Sequence, residues 1–457
     1  MISISSATLK TVLSSNSEVQ PLEIVGVSTD TRSIQNGNCF FALVGPNFDG
    51  HQFVRQALEQ GAACAVVQRS VDLPNNQAGR ILIVDDTVKA LGQLAAWYRK
   101  QLKAKVIAIT GSAGKTTTRH IAHHVLSRHF RCHQATKSFN NHIGLPLTIL
   151  SASPEDDLLI VELGTNHPGE IGTLTRIAQP DIAVVTCAAP AHLEGFGSLE
   201  KIIAEKLSIH EGLTAKGMLI VNGDQQDLMC YTMGLHRPYL TFGTGESCDF
   251  RADNLRSIGD SGQLTIDGQT LTVPLPGRAN LTNILTAWAI CKIIGISMSD
   301  FAAAIASLEP VTMRMVIDTV GPIKIIIDCY NANPASMANA LDCLASLSKK
   351  EGRRPVFVAG CMGELGQASK RLHFELGQKA AAATASIVAA GAFASDIVAG
   401  AIDGGMDAAA CKTFMNTQLL CDNLHKFVRP ADIILVKGSR SAGMEKAVET
   451  LKKLFEA

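Results

Sequence analysis

The stretch Val106-Ile107-Ala108-Ile109-Thr110-Gly111-Ser112-Ala113-Gly114-Lys115-Thr116-Thr117-Thr118 constrains this chain more than any other. A short apolar, β-branched run reads as a buried strand, two glycines turn the chain, and a helical pattern follows from Thr117 to Phe130. That is the layout of a phosphate-binding loop. Backbone N–H groups of a Gly-rich turn and of a helix N-terminus face an anion, a lysine reaches the β- and γ-phosphates, and the hydroxyl after it ligates Mg²⁺. Gly111, Ser112, Ala113, Gly114, Lys115, Thr116 and Thr117 are therefore the candidate nucleotide contacts. The general pattern G-x-x-x-x-G-K-[ST] has a glycine where this chain has Ile109, and a bare G-K-T also occurs in ordinary strand-to-helix turns. The strand, both glycines and the threonine run together favour phosphate binding.

At 457 residues the chain exceeds what one hydrophobic core holds, so two or three domains are expected. Its formal net charge of zero argues against a general nucleic-acid surface and against electrostatic membrane attachment. The twelve cysteines show no C-x-x-C pair or zinc spacing, and buried free thiols in a reducing compartment are the expectation. The N-terminus lacks the basic start and apolar core of a signal peptide, and no apolar run is long enough to span a bilayer. A soluble, cytoplasmic, monomeric protein with no nucleic-acid partner and no membrane insertion is expected.

Residues 1–98 alternate short strand-like and helix-like segments, the pattern of a small α/β domain. Ser28, Thr29, Asp30, Thr31 and Arg32 follow the apolar strand Ile24 to Val27, and a second apolar run from Cys39 to Gly45 leads to Asp49, Gly50 and His51. Hydroxyls, an arginine and turn glycines at strand ends can hold a phosphorylated ligand, although the same residues serve as turns and caps. A helix at about 51–60 and a strand from Ala62 to Val67 complete the unit.

Residues 99–312 carry the loop in a domain with a mostly parallel sheet. A polar run, Thr136 to Pro146, contains Asn140 and Asn141. Glu162 lies near the end of the apolar strand Asp157 to Gly164, where an acid can hold Mg²⁺ opposite the Thr116 hydroxyl. The strand Ile182 to Thr186 leads to His192, and strand carboxyl ends place His192, Gly114 and Glu162 in one crevice. Lys206 reads as a charge on a helix. Residues 239–276 read as antiparallel strands, and Asn280 reads as the N-cap of a long apolar helix. Residues 313–457 alternate strands (Lys324 to Cys329, Pro355 to Ala359, Ser386 to Ala390, Asp432 to Val436) with helices, which implies a Rossmann-like, doubly wound sheet. Its strand ends carry Asp328-Cys329-Tyr330-Asn331-Ala332-Asn333-Pro334, Gly360-Cys361-Met362-Gly363-Glu364-Leu365-Gly366 and Lys437-Gly438-Ser439-Arg440. The fold class is thus α/β, with a small N-terminal domain, a central P-loop-type domain and a doubly wound C-terminal domain.

Together these motifs resemble the Mur ligases, ATP-dependent amide-forming enzymes of peptidoglycan precursor synthesis, over essentially the whole chain. The T-G-[ST]-x-G-K-T-T loop is similar to that family's variant, which accounts for Ile109. The resemblance implies ATP and two Mg²⁺ ions, with Thr116, Glu162, His192 and Lys206 as the metal-binding set and Lys206 carbamylated by CO₂. It implies Lys115, Lys206 and His192 as catalytic residues, Asn283 near adenine, Asp328 on the ribose, and Arg314 as the arginine before the third domain. For substrates it implies Ser28 to Arg32, Asp49, Gly50, His51, Asn140, Asn141, Asn331, Asn333, Lys437 and Arg440. Two positions depart: Ala279 stands where histidine is common, and Cys361 where aspartate is.

Within the family, Tyr330 to Pro334 looks like the Y-N-A-N-P of the branch that joins D-alanyl-D-alanine to UDP-N-acetylmuramoyl-tripeptide, releasing ADP and phosphate. The D-N-P-R signature of the diaminopimelate-adding branch is absent from the sequence. The alternatives are that branch, a folylpolyglutamate synthase-like ligase, and a P-loop switch ATPase. The resemblance also implies that the domains close around their ligands.

Overall fold

The structure is a computed structural model that describes residues 1–135 and 138–456. Thr136 and Lys137, which open the polar run after the loop helix, and Ala457 lie outside the described residues.

Strand Lys105–Thr110 sits inside a nine-stranded sheet because both its faces are apolar and both find cover. Successive side chains point to opposite faces. Val106 and Ala108 join one core cluster, and Ile107 and Ile109 join the other. On one flank lie Leu158–Glu162 and then Cys132–Gln134; on the other lie Ile182–Val185, Met218–Asn222 and Tyr239–Gly243, all parallel. Phe250–Ile258 begins parallel to its neighbour, and Ser261–Ile266 and Gln269–Val273 continue from it as an antiparallel extension. The loop helix Lys115–Leu126 and the helix Arg278–Ile294 cover one face, burying Ile121, Val125, Ile284 and Trp288.

The core on the other face runs without a break into the N-terminal domain. There, Val27–Ser28, Cys39–Phe41, Cys64–Val67 and Ile81–Ile83 form a parallel sheet. Phe41, Leu82 and, on helix Thr87–Arg99, Leu91 and Tyr98 share one cluster with Val106, Leu159 and Ile171. The C-terminal domain has its own sheet, ordered Val316–Val320, Ile323–Asp328, Ile433–Lys437, Pro355–Gly360, Ser386–Ala390 and Cys411–Phe414. Its first pair is antiparallel and the rest are parallel. Phe357 and Ala359 face one core and Val356 and Val358 the other. Phe357→Ala should cost about 3–5 kcal/mol of C-terminal-domain stability. A lower urea midpoint for that domain's transition is the measurement, and an unchanged midpoint would contradict the packing described.

Several local expectations change. The loop helix starts at Lys115, because Gly114 in the left-handed region (φ +84°) completes the turn sooner, and ends at Leu126 rather than Phe130. The run Ile24 to Val27 is cut by Gly26 (φ +80°) into Glu23–Val25, paired antiparallel with Ser3–Ser5, and Val27–Ser28. The segment at 51–60 is a 3₁₀ turn, Gly50–Phe53, followed by helix Val54–Glu59. Residues 239–276 are not wholly antiparallel, since Tyr239–Gly243 extends the parallel sheet. Asn280 is not the N-cap; the long helix begins at Arg278 after Gly277, and Asn280 lies in its first turn, donating to Pro276 O at 2.7 Å. The strand Cys411–Phe414 and the antiparallel edge Val316–Val320 had no clear sequence signal, being short or half-exposed. All twelve cysteines are free. Among the described residues no helix is long and apolar enough to cross a membrane.

Candidate nucleotide and ligation site

The phosphate-binding loop leaves the carboxyl end of Lys105–Thr110, and its two glycines are there for lack of room. A Cβ on Gly111 (φ +147°) would lie 2.0 Å from Thr186 Oγ1, and one on Gly114 would lie 2.4 Å from Asn283 Oδ1. Only glycine allows both the backbone angles and these approaches. The neighbouring strand end staples the loop in place: Ser112 N donates to Cys187 O at 2.9 Å, Ser112 Oγ to Ala189 O at 2.9 Å, and Thr186 Oγ1 to Ala113 O at 2.5 Å. Lys115 Nζ folds back onto Gly111 O at 2.6 Å, and burial holds its pKa below the ordinary lysine value.

Beneath the loop lies a polar chain. Arg314 Nη2 donates to Thr116 Oγ1 at 3.0 Å, and that hydroxyl donates to Glu162 Oε2 at 3.1 Å. Arg119 Nε donates to Glu162 Oε1 at 2.7 Å. Glu162 is 1% exposed, so its charge depends on these partners. Sequence reasoning missed Arg119. Its position three residues after Thr116 puts both on one helix face toward the strand that ends in Glu162, a spacing readable in advance.

Above the loop opens a cleft of about 310 Å³ between the central and C-terminal domains. Residues Ser112 to Thr117 form its floor, with Asn140, His192 and Asn283 on the central side and Arg314, Asp328, Asn331, Asn333 and Lys437 opposite. The Arg314 guanidinium lies over the Tyr330 ring at 4.2 Å, and Tyr330 Oη donates to Ser138 Oγ at 2.7 Å. Asn333 caps helix Pro334–Glu351 and donates from Nδ2 to Ser112 O at 3.2 Å, so the C-terminal domain touches the loop itself. The buried Lys437 Nζ is held by Asp328 Oδ2 at 2.5 Å and Asn331 O at 3.1 Å.

His192 and Gly114 line the cleft as expected, whereas Glu162 is buried below it and, among the described residues, is linked to it through Thr116. Lys206 is no surface charge. It is 2% exposed on helix Leu199–Leu207, and burial, aided by the Lys115 ammonium, lowers its pKa to about 7. Burial also lowers the pKa of His192, against the pull of the nearby Glu364 carboxylate. Glu205, beside Lys206, accepts from Gly169 N and Ile171 N at 2.7 Å each and so anchors the start of helix Glu170–Ala178. Cys361 is half-buried, with its Sγ accepting from Phe393 N at 3.3 Å.

The remaining candidates lie outside the cleft lining. Asn141 Oδ1 accepts from Ile143 N and Gly144 N at the start of helix Gly144–Ser151 and faces an adjoining groove. Arg440 points outward, 3.6 Å from Glu445. In the N-terminal domain, Ser28 Oγ donates to Asp30 O at 3.0 Å, and Arg32 forks onto the Asp30 carboxylate at 2.6–3.1 Å, holding that carboxyl at about 2. Asp49 accepts from His51 Nδ1 at 2.6 Å, and His51 Nε2 accepts from Gln68 N at 2.9 Å, which fixes the imidazole tautomer. A Cβ on Gly50 would lie 2.8 Å from Leu43 N, so this turn too is built around a close approach. Thr29 and Thr31 are half-buried members of the same turn, Thr31 opening the 3₁₀ segment Thr31–Ser33.

Three family models match the chain: the Mur ligase family catalytic domain over residues 23–99, the Mur ligase middle domain over 109–291 and the Mur ligase glutamate ligase domain over 313–440. The chain is 35% identical to the UDP-N-acetylmuramoyl-tripeptide–D-alanyl-D-alanine ligase of Escherichia coli (strain K12), covering 99% of both chains. Among solved structures it is similar to MurF from Acinetobacter baumannii, with a TM-score of 0.90 and 30% identity over 99% of each chain. It also resembles the MurF ligase from Thermotoga maritima in complex with ADP, with a TM-score of 0.82 and 26% identity over 94% of this chain and 98% of that one.

Proposed function

The chain belongs to the Mur ligase family, and from that premise we propose that it joins D-alanyl-D-alanine to UDP-N-acetylmuramoyl-tripeptide, giving the pentapeptide, ADP and phosphate. The observation that carries this reading is the cleft, in which a phosphate-binding loop from one domain faces a charged, amide-rich wall from another. A switch ATPase needs the loop but has no use for that wall.

Amide formation from a carboxylate needs a better leaving group than oxide. The terminal carboxylate of the tripeptide attacks the γ-phosphorus of ATP, ADP leaves, and an acyl phosphate forms. The free amine of the dipeptide then attacks the acyl carbon, and a tetrahedral intermediate collapses with loss of phosphate and a proton. Both steps gather negative charge, so the protein acts chiefly by positioning and neutralisation. Loop N–H groups and Lys115 would grip the β- and γ-phosphates, Asn283 would border the adenine, and Arg314 with Asp328 would meet the nucleotide from the C-terminal side. Asn331, Asn333 and Lys437 on the same wall face where the amine substrate would enter.

The donor set fits a hard divalent cation. Among the described residues no three His, Cys, Asp or Glu side chains gather into a ready-made metal site. The Thr116 hydroxyl and Glu162 carboxylate lie 3.1 Å apart, however, and phosphate oxygens and water would complete an oxygen shell for Mg²⁺. His192 and a carbamylated Lys206 would hold the second ion. Such ions neutralise phosphate charge when bound. Lys206 supports the carbamate reading by its burial: an amine of pKa about 7 is about half free base at neutral pH, far more than an ordinary lysine, and R–NH₂ plus CO₂ gives R–NH–COO⁻ plus H⁺.

We place domain boundaries near residues 98 and 312. Residues 1–98 would hold the UDP-sugar through the Ser28 to Arg32 turn and Asp49 to His51, residues 99–312 the phosphates, and residues 313–457 the dipeptide and part of the nucleotide. The reaction belongs in the cytoplasm, where ATP and a nucleotide-linked substrate are available, and a single chain carries every element of the cleft. Phosphate release from ATP and UDP-tripeptide should depend on D-alanyl-D-alanine and stay near background with single amino acids. Equal release with diaminopimelate or glutamate, or release without any amine, would overturn the assignment.

A further inference from the structure

The cleft has a seam on its far side. Strand Ile182–Val185 leads to the turn at His192, and strand Pro355–Gly360 of the C-terminal domain leads to the loop at Glu364. The two meet through contacts of several kinds. Glu194 N donates to Glu364 O at 3.1 Å. Leu193, from the central domain, packs on the C-terminal core that contains Met362 and Leu365. A Cβ on Gly366 (φ +55°) would lie 3.1 Å from Glu194 Cα, so the two backbones pass closely. The Glu364 carboxylate lies against His192 Nδ1, yet out of hydrogen-bond alignment, which leaves that buried nitrogen without a bond among the described residues.

Backbone strain marks the same two residues. His192 (φ +54°) and Glu364 (φ +60°) are both non-glycine residues in the left-handed region. Such conformations persist only where the surroundings over-determine them, and they concentrate at functional contacts. Here two of them face each other across a domain boundary.

We propose that Glu364 is a positioning residue that orients the His192 imidazole, and that this seam couples the orientation to docking of the C-terminal domain. A small rotation of either side chain would let Nδ1–H donate to the carboxylate. The other ring nitrogen would then be fixed as a lone-pair donor available to the cleft that His192 lines. Because the carboxylate comes from a different domain, the imidazole has its orienting partner only when the domains are docked. The role of His192 in the reaction rests on the ligase reading above, whereas the seam and the ring orientation do not.

The test uses the full chain with Glu364→Gln, Glu364→Gly and Leu193→Ala. The glutamine variant removes the charge at constant size, and the glycine variant removes the carboxylate while accepting the left-handed backbone. Both should lower kcat for ligation by about 10- to 100-fold, the range for losing a carboxylate that orients a ligating histidine, with KM for ATP within about twofold of wild type. Without turnover, the His192 imidazole ¹⁵N signals, assigned by their loss in His192→Asn, should shift in Glu364→Gln. Leu193→Ala should speed amide hydrogen exchange in both the 192–197 and 361–366 segments. Wild-type ¹⁵N signals in Glu364→Gln would overturn the orienting role, and unchanged exchange in Leu193→Ala would overturn the docking role. If the wild-type enzyme releases no phosphate with D-alanyl-D-alanine, the ligase reading fails instead, and the ¹⁵N and exchange readouts still decide this one.

Discussion

Lys115→Ala is expected to lower ligation turnover by on the order of 100-fold or more, the scale of losing a preorganised charge-stabilising donor. In this structure the ammonium closes the loop on itself by donating to Gly111 O at 2.6 Å, so it is held within reach of the phosphate position. Burial disfavours its charge, and the bond to a carbonyl offsets only part of that. An incoming triphosphate would supply the missing anion, with its gain largest where negative charge grows in the transition state. The loss should therefore appear mainly in kcat of coupled phosphate release rather than in KM for ATP. Near-normal kcat in this variant would remove the loop from the mechanism.

Lys206→Ala should cost a similar two orders of magnitude, for a different reason. A buried ammonium, 2% exposed and beside a second ammonium, would repel a metal cation, while a carbamate would present an anion to it. Only the free amine reacts with CO₂. Activity should thus fall below pH 7 and in bicarbonate-depleted buffer. Protein equilibrated with ¹³CO₂ should show a carbamate signal that Lys206→Ala lacks. Between about pH 7 and the ordinary value of 10.5, the unfolded chain holds a proton on this amine that the folded chain does not. Stability of the uncarbamylated protein therefore rises with pH across that window. Wild-type turnover in Lys206→Ala, or no carbamate signal in the native enzyme, would end the carbamate proposal.

The sequence announced the sheets well because their strands are buried on both faces and read as continuous apolar runs, as from Lys105 to Thr110 or Pro355 to Gly360. It was poorer at edges. Cys411–Phe414 is half-exposed and lacks that signal, and the break at Gly26 depends on a backbone angle that composition does not reveal. At the site, Lys115, Thr116 and His192 were legible because a local motif or a strand end fixes them. Arg119 was legible in principle from helix spacing. Glu364 was not, since its importance lies in a contact with a residue 172 positions earlier in the chain. By periodicity alone Lys206 is simply a charge on a helix, and only the family resemblance gives it a role, because periodicity cannot tell an exposed helix face from one covered by another element. Its burial is purely tertiary.

The uneven distribution of apolar contact has a consequence for how this molecule comes apart. One core cluster binds the N-terminal sheet to the central sheet, while the C-terminal sheet is packed by two clusters of its own and meets the rest through Leu193 and through polar contacts such as Asn333 to Ser112 and Tyr330 to Ser138. The three larger sheets therefore amount to two cooperative melting units. Opening the seam between them frees the Leu193 contact and exchanges protein hydrogen bonds such as Asn333 to Ser112 for water, so the fold can breathe at the cleft while both halves stay intact.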